Sequence, residues 1–552
     1  MKKVLLLTAA LLGLSAPMVM AGDAIFTRTV YFDEKPLGDA GVYRNPILPG
    51  FFPDPSITRV GEDYYLINSS FAFFPGIPVF HSKDMVHWSQ IGNAIDRPGM
   101  LDFSGLNTSR GVFAPDISYH DGTFYIVNTC VDCKGNFIIT AKDPAGPWSD
   151  PVWLPFGGID PSLFWDDDGK TYIVYNDAPE GKPLYDGHRA LWLQPFDPRT
   201  NALVGPRKVV VNGGVDLAKK PVWIEGPHIF RKDGHYYLMA AEGGTAEGHS
   251  EVIFRGDTVW GPYLPYGDNP ILTQRDLDPA RSDPVTSTGH ADLVQTQKGD
   301  WWAVFLGTQP YSGNLYNTGR ETFMLPVNWK DGWPVILDHG QAVPKLNPAP
   351  AITAPPMPQR TEVHSLGHVR GKGSPEILQV RTPSEPFFAF SDFATVALSA
   401  RPEAIGDVTS HPSFLGLRQT APAETIRTVV IYTPVNDGDR AGLVALQSDD
   451  FYIFFGIARR GGKPVLEVTR RSGAADPRDG VVVASAPLKA KPGTALELTL
   501  TIAGGTAHFA YNDTKKGNVT LADAVDVTNL STAKAGGFVG TIVGVYAYGQ
   551  KP

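Results

Sequence analysis

Five times between residues 54 and 307 the chain repeats one design, and this repeat restricts the fold more than any other feature. The copies read DPSITRVGEDYYLINSS from Asp54, APDISYHDGTFYIVNTC from Ala114 and DPSLFWDDDGKTYIVYN from Asp160. GPHIFRKDGHYYLMAAE from Gly226 and HADLVQTQKGDWWAVFLG from His290 complete the set. Each opens before Pro55, Pro115, Pro161, Pro227 or Ala291 with a short apolar strand. A polar turn follows, then an aromatic β-rich strand, which is the signature of a hairpin. The five positions lie 46 to 66 residues apart, and third strands such as PVFHSKDMVHW from Pro78 fill part of the interval. All-β units of this size predict propeller blades of four strands each. The expected architecture is therefore all-β, a five-bladed β-propeller over residues 22–345. Abundant glycine (58) and proline (48) suit such a succession of short strands and turns.

A proline-rich stretch breaks the pattern, and residues 346–361 read as an extended linker. From 362 to 552 strands such as RTVVIYTP, FYIFFGI and LELTLTIAG alternate with regular turns, which predicts an antiparallel, concanavalin-like β-sandwich. At the other end, Lys2 and Lys3 precede an apolar run from Val4 to Leu14, and Ala21 closes the segment. Residues 1–21 are expected to be a cleavable signal peptide, making the mature protein periplasmic or secreted. No later stretch reaches the roughly 20 apolar residues that span a bilayer. The net charge of -9, without any basic run, argues against nucleic acid or an anionic membrane as partner. Nothing in the sequence is against an oligomer. The two cysteines, Cys130 and Cys133, suit a local disulfide better than a zinc site, which needs about four ligands.

In a propeller the innermost strands start near the axis, so equivalent repeat positions converge. The residues before the Pro/Ala positions are Asp54, Ala114, Asp160, Gly226 and His290, with Glu225 one place earlier than Gly226. Three carboxyl groups and a histidine should thus share one axial pocket. Crowded carboxylates repel, and at least one must be raised in pKa. A protonated and an ionised carboxyl group together are what glycosidic cleavage requires. Glu225 follows the apolar Val222, Trp223 and Ile224 and suits the acid. Asp54 follows Phe51, Phe52 and Pro53 and suits the base, leaving Asp160 as an orienting group. Asp116 and Asp292 lie further along their strands, where structural roles are expected. Phe51, Phe73, Phe74 and Phe113 crowd the same end; they pack either on sugar C–H faces or between blades. Arg320 is a candidate for sugar hydroxyls or for a salt bridge.

At these residues the chain resembles glycoside hydrolase family 43. The likeness runs through NPILPGFFPDPSI from Asn45, GGIDPSLFWDDDG from Gly157, IEGPHIF from Ile224, GHADLV from Gly289 and GRETFML from Gly319. It continues in HPSFLGLRQ from His411 and GTIVGVYA from Gly540. The resemblance implies a five-bladed propeller with Asp54 as general base, Asp160 as pKa modulator and Glu225 as general acid. It implies inversion at the anomeric carbon, a metal, usually calcium, near His290, and Arg320 at the substrate. Related β-xylosidases tend to carry tryptophan where Phe73 and Phe113 stand, which bears on sugar preference. The expected activity is exo-acting removal of terminal β-D-xylose or α-L-arabinofuranose from xylan- or arabinoxylan-derived oligosaccharides. An endo-arabinanase and a non-catalytic carbohydrate-binding propeller are the alternatives.

Overall fold

The computed structural model describes residues 22–33, 41–352, 363–369, 372–392, 394–489, 491, 493–513 and 517–550. The expected leader, residues 1–21, lies outside the described residues, as does the 353–361 part of the expected linker. Among the described residues the chain is all-β apart from a few short helical turns.

Five antiparallel sheets follow one another in the first part. Their opening hairpins pair Ser56–Val60 with Asp63–Ile67, Asp116–His120 with Thr123–Val131, and Ile159–Trp165 with Thr171–Asp177. The last two pair Glu225–Lys232 with His235–Glu242 and Thr286–Gln295 with Trp301–Thr308. Two-residue turns join several of them, so that His120 faces Thr123 and Lys232 faces His235. Each opening strand touches those of the neighbouring sheets, and the fifth touches the first. Leu48 bridges Thr322 of the fifth sheet, bringing the start of this part onto its end. Leu346–Pro348, expected in the linker, instead pairs with Val42–Arg44, and Ala349 and Ile352 pack on the same apolar cluster. Prolines at an edge strand leave no ladder donor missing, so the pairing tolerates them. Cys130 and Cys133 are joined by a disulfide, as expected.

The second part is two sheets of eight and six strands with a shared core. In the larger sheet Leu496–Ala503 and Ala423–Ile431 bury alternate residues, as strands with one face on a core must. Asp23–Asp33, expected to open the first part, lies inside this sheet between Thr395–Ser399 and Ala423–Ile431. Its alternating Ala24 and Phe26 are fully buried in the sandwich core, which draws the N-terminal strand there. The middle of the six-stranded sheet is buried on both faces: every residue of Arg440–Ser448 and Ile542–Tyr548 is buried. One face meets the sandwich core. The other, with Val444, Phe454, Ile542 and Tyr546, packs on Phe51, Phe71 and Phe73 of the first part.

Candidate active site

The heads of the opening strands share a backbone irregularity. Asp54, Asp160, Gly226 and His290 have φ of 53°, 53°, 57° and 52°, in the left-handed region that non-glycine residues avoid. The last three sit at register shifts, between Ile159 and Ser162, Glu225 and His228, and Gly289 and Asp292. Such bulges re-aim side chains at the rims of sheets. Gly226 is required for a second reason: a Cβ there would lie 2.7 Å from the His290 ring.

These heads bring Asp54, Asp160, Glu225 and His290 together, as the repeat phase predicts, and Arg320, just before Glu321–Pro326, joins them in one electrostatically coupled group. Asp54 Oδ1 accepts from Arg320 Nη1 at 3.1 Å, and its Oδ2 accepts from Ser69 Oγ at 2.6 Å. Asp160 Oδ2 accepts from the Gly226 amide at 3.2 Å and lies 3.4 Å from His290 Nε2. The three acids are only 5, 6 and 7% exposed, and for Asp54 and Glu225 it is their partners that decide how burial is answered. For Glu225 burial is reinforced by the charges of Asp160 and Asp54 and only partly offset by His290 and Arg320. Its pKa is pushed up to about 8. For Asp54 burial acts in the same direction, yet Arg320, His290, the Ser69 hydroxyl and His249 outweigh it, and its pKa is lowered. His290 is discouraged from ionising by burial, but Asp160, Asp54 and Glu225 push it up to about 10. The site therefore pairs a carboxyl group that keeps its proton with one that gives it up.

The aromatic candidates fall elsewhere. Phe51 and Phe73 have no exposed surface; both are packed in the apolar cluster under the six-stranded sheet, and Arg418 lies over the Phe51 ring. They serve the contact between the two parts, because the second part supplies the apolar face that a sugar was expected to supply. Phe113 is half-buried beside Phe538, with ring centroids 5.6 Å apart. Phe538 comes from the second part, stacks on Phe71 at 5.8 Å and lies under the Arg320 guanidinium at 5.4 Å. Its amide donates to Ser109 Oγ at 2.9 Å. Arg320 is placed by a close backbone approach, for a Cβ on Gly319 would be 2.9 Å from Gly540 Cα. Ser69, His249 and Phe538 belong to the site without having been singled out from the sequence. They lie off the repeated strand heads, so repeat phase gives no signal for them.

One layer further along the opening strands, Asp116, His228 and Asp292 place three ligand atoms within 4.8 Å of one another, a spacing a metal ion could bridge. Ser56 Oγ donates to Asp292 Oδ2 at 2.9 Å, and the Leu163 amide donates to Asp116 Oδ2 at 3.0 Å. These contacts tie the sheets together and agree with the structural role expected for both aspartates. His290, near which the family resemblance implies a metal, is not one of these three ligands; its Nε2 is turned to Asp160 Oδ2 at 3.4 Å.

Comparison with known proteins agrees with this geometry. The model of "Glycosyl hydrolases family 43" matches residues 43–334, and that of "Beta xylosidase C-terminal Concanavalin A-like domain" matches 373–552. The chain belongs to glycosyl hydrolase family 43. A xylosidase/arabinosidase of Butyrivibrio fibrisolvens is 37% identical over 92% of this chain and 96% of its own length. A non-reducing end alpha-L-arabinofuranosidase of Bacteroides ovatus is 36% identical, covering 92% of each chain. A crystal structure of a family 43 protein from a capybara gut metagenome is 38% identical. It superposes with a TM-score of 0.86 over 96% of this chain and 100% of its own. This family 43 chain is a glycoside hydrolase with a C-terminal concanavalin-like domain.

Proposed function

We propose that this hydrolase is exo-acting and releases terminal β-D-xylose or α-L-arabinofuranose from xylan- or arabinoxylan-derived oligosaccharides, with inversion. The observation that carries the mechanism is the opposed proton affinity of Glu225 and Asp54 within one buried group. Glu225 is the general acid and donates its proton to the glycosidic oxygen as the bond from that oxygen to the anomeric carbon breaks. Asp54 is the general base and takes a proton from the water whose oxygen attacks the same carbon from the opposite face. Asp160 keeps the Glu225 proton in place through its charge. Arg320 keeps Asp54 ionised and offers further donors to sugar hydroxyls. The first part is read as a five-bladed propeller. That reading is supported by the cyclic contacts of the opening strands and by the Leu48 bridge to Thr322. The leader in residues 1–21 would export the enzyme to the periplasm or medium. Calcium enters no step.

The exo reading is supported by the concanavalin-like domain, whose Phe538 walls one side of the site. The pentose reading is supported by the named activities of the relatives. Hydrolysis of nitrophenyl β-xyloside and α-arabinofuranoside decides the sugar, and the first-formed anomer, read by proton NMR, decides inversion. Asp54→Ala and Glu225→Ala should each lower oligosaccharide turnover by at least about a thousandfold while each variant still unfolds in one cooperative transition. Near-normal turnover in either variant ends the assignment. Oligomers rather than monosaccharide released from long arabinan would favour an endo-arabinanase.

A further inference from the structure

Two residues before Glu225 the backbone holds a strained aromatic. Trp223 has φ of 51°, a left-handed conformation that bulky side chains avoid. Its surroundings enforce it: the Trp223 amide donates to Gly187 O at 3.0 Å, and the Gly243 amide donates to Val222 O at 2.9 Å. The Arg189 guanidinium lies over the indole ring, 4.0 Å from its centroid. The segment carrying Arg189 is itself fixed, with Tyr185 donating to Pro221 O at 2.8 Å and His188 bonded to Asn212 at 2.9 Å. Trp223 and Arg189 are both half-buried, and Leu184 and Val222 beside them are exposed at 68 and 41%. The cleavage chemistry uses neither the strain nor the stack. Strain of this kind persists only where the surroundings over-determine it, and it clusters at active sites and ligand clamps.

Position gives the function. The concanavalin-like domain contacts the first part at Leu106 and Ser109, in the connection from the first sheet to the second, and at Asn317, in a loop of the fifth. Trp223 and Arg189 lie just before the strands Glu225–Lys232 of the fourth sheet and Ala190–Asp197 of the third, and neither is among those contacts. The leaving sugar must extend from the oxygen that the acid protonates, on the Glu225 side. An aromatic face packs against sugar C–H groups, and a guanidinium fork donates to adjacent hydroxyls.

We propose that Trp223 and Arg189 form the platform for the leaving sugar, with the indole packing on its face and the guanidinium donating to its hydroxyls. The inference rests on Glu225 being the acid. The test compares kcat/KM for a pentose disaccharide with that for the pentosyl fluoride of the same anomer, whose leaving group has no sugar. Trp223→Gly and Arg189→Ala are the variants, and glycine accepts the left-handed backbone without strain. The disaccharide-to-fluoride ratio should fall about 10- to 100-fold in each. In Trp223→Phe it should stay near the wild-type value, and Trp223→Gly should melt no lower than wild type. A ratio within about twofold of wild type in both Trp223→Gly and Arg189→Ala would overturn the proposal. Glu225→Ala separates the two readings. Loss of disaccharide cleavage with fluoride cleavage retained supports the acid. Retained disaccharide cleavage removes the acid reading, whatever the Trp223 ratio.

Discussion

Glu225 and Asp54 are buried almost equally, yet their neighbours drive their proton affinities apart. Asp160 adds negative charge beside Glu225, while Arg320 and the Ser69 hydroxyl serve Asp54. Activity should therefore fall on the alkaline side with an apparent pKa near 8, as Glu225 loses its proton. In Asp160→Asn one source of that upward shift is gone, so the alkaline limb of the kcat/KM profile should move to lower pH. Glu251 offers a stability counterpart. It is fully buried, its Oε2 accepts from the Ala291 amide at 2.9 Å, and its pKa is pushed up to about 8, chiefly by burial. The folded state keeps a proton there that the unfolded chain releases from about pH 4.5 upward. Stability should thus decline between pH 4.5 and 8 by up to a few kcal/mol from this group alone. Glu251→Gln should flatten that decline in melting temperature against pH. At this scale the acids were legible because they sit at equivalent places in the repeat. Glu251, His249 and Ser69 were not, because they stand on other strands or on connections, where sequence phase carries no information about the axis.

Among the elements, the hairpins declared themselves through their turns and aromatic return strands. Asp23–Asp33 could not, since its partner Ala423–Ile431 lies some 400 residues away and the intervening repeat claims the eye. The strand is interior to its sheet, paired on both sides, so removing it splits the sheet in two. A fragment of residues 363–552 should accordingly show no cooperative thermal transition. The same fragment with residues 22–33 joined through a flexible linker should regain one, read by circular dichroism. The phenylalanines at 51 and 73 were misread for a related reason. An apolar residue at the mouth of a pocket looks the same in sequence whether a ligand or another domain covers it.

The whole molecule is held together by more than apolar contact. Arg381 is fully buried, pairs with Asp449 of the sandwich, and donates through Nε to Leu106 O of the first part at 2.8 Å. Arg381→Ala would strand the Asp449 carboxylate in a dry interior, a loss of about 3–5 kcal/mol. Calorimetry of that variant should show a clearly lowered melting temperature. The placement of Asp23–Asp33 also bears on how the polypeptide comes into being. Synthesis proceeds at roughly 5–20 residues per second, so this strand waits on the order of a minute before Ala423–Ile431 and its neighbours exist to receive it. For that interval one end of the nascent chain carries Ala24 and Phe26 without the neighbours that pair with it on both sides, Thr395–Ser399 and Ala423–Ile431. The segment translated first thus belongs to a sheet whose other strands all lie beyond residue 362.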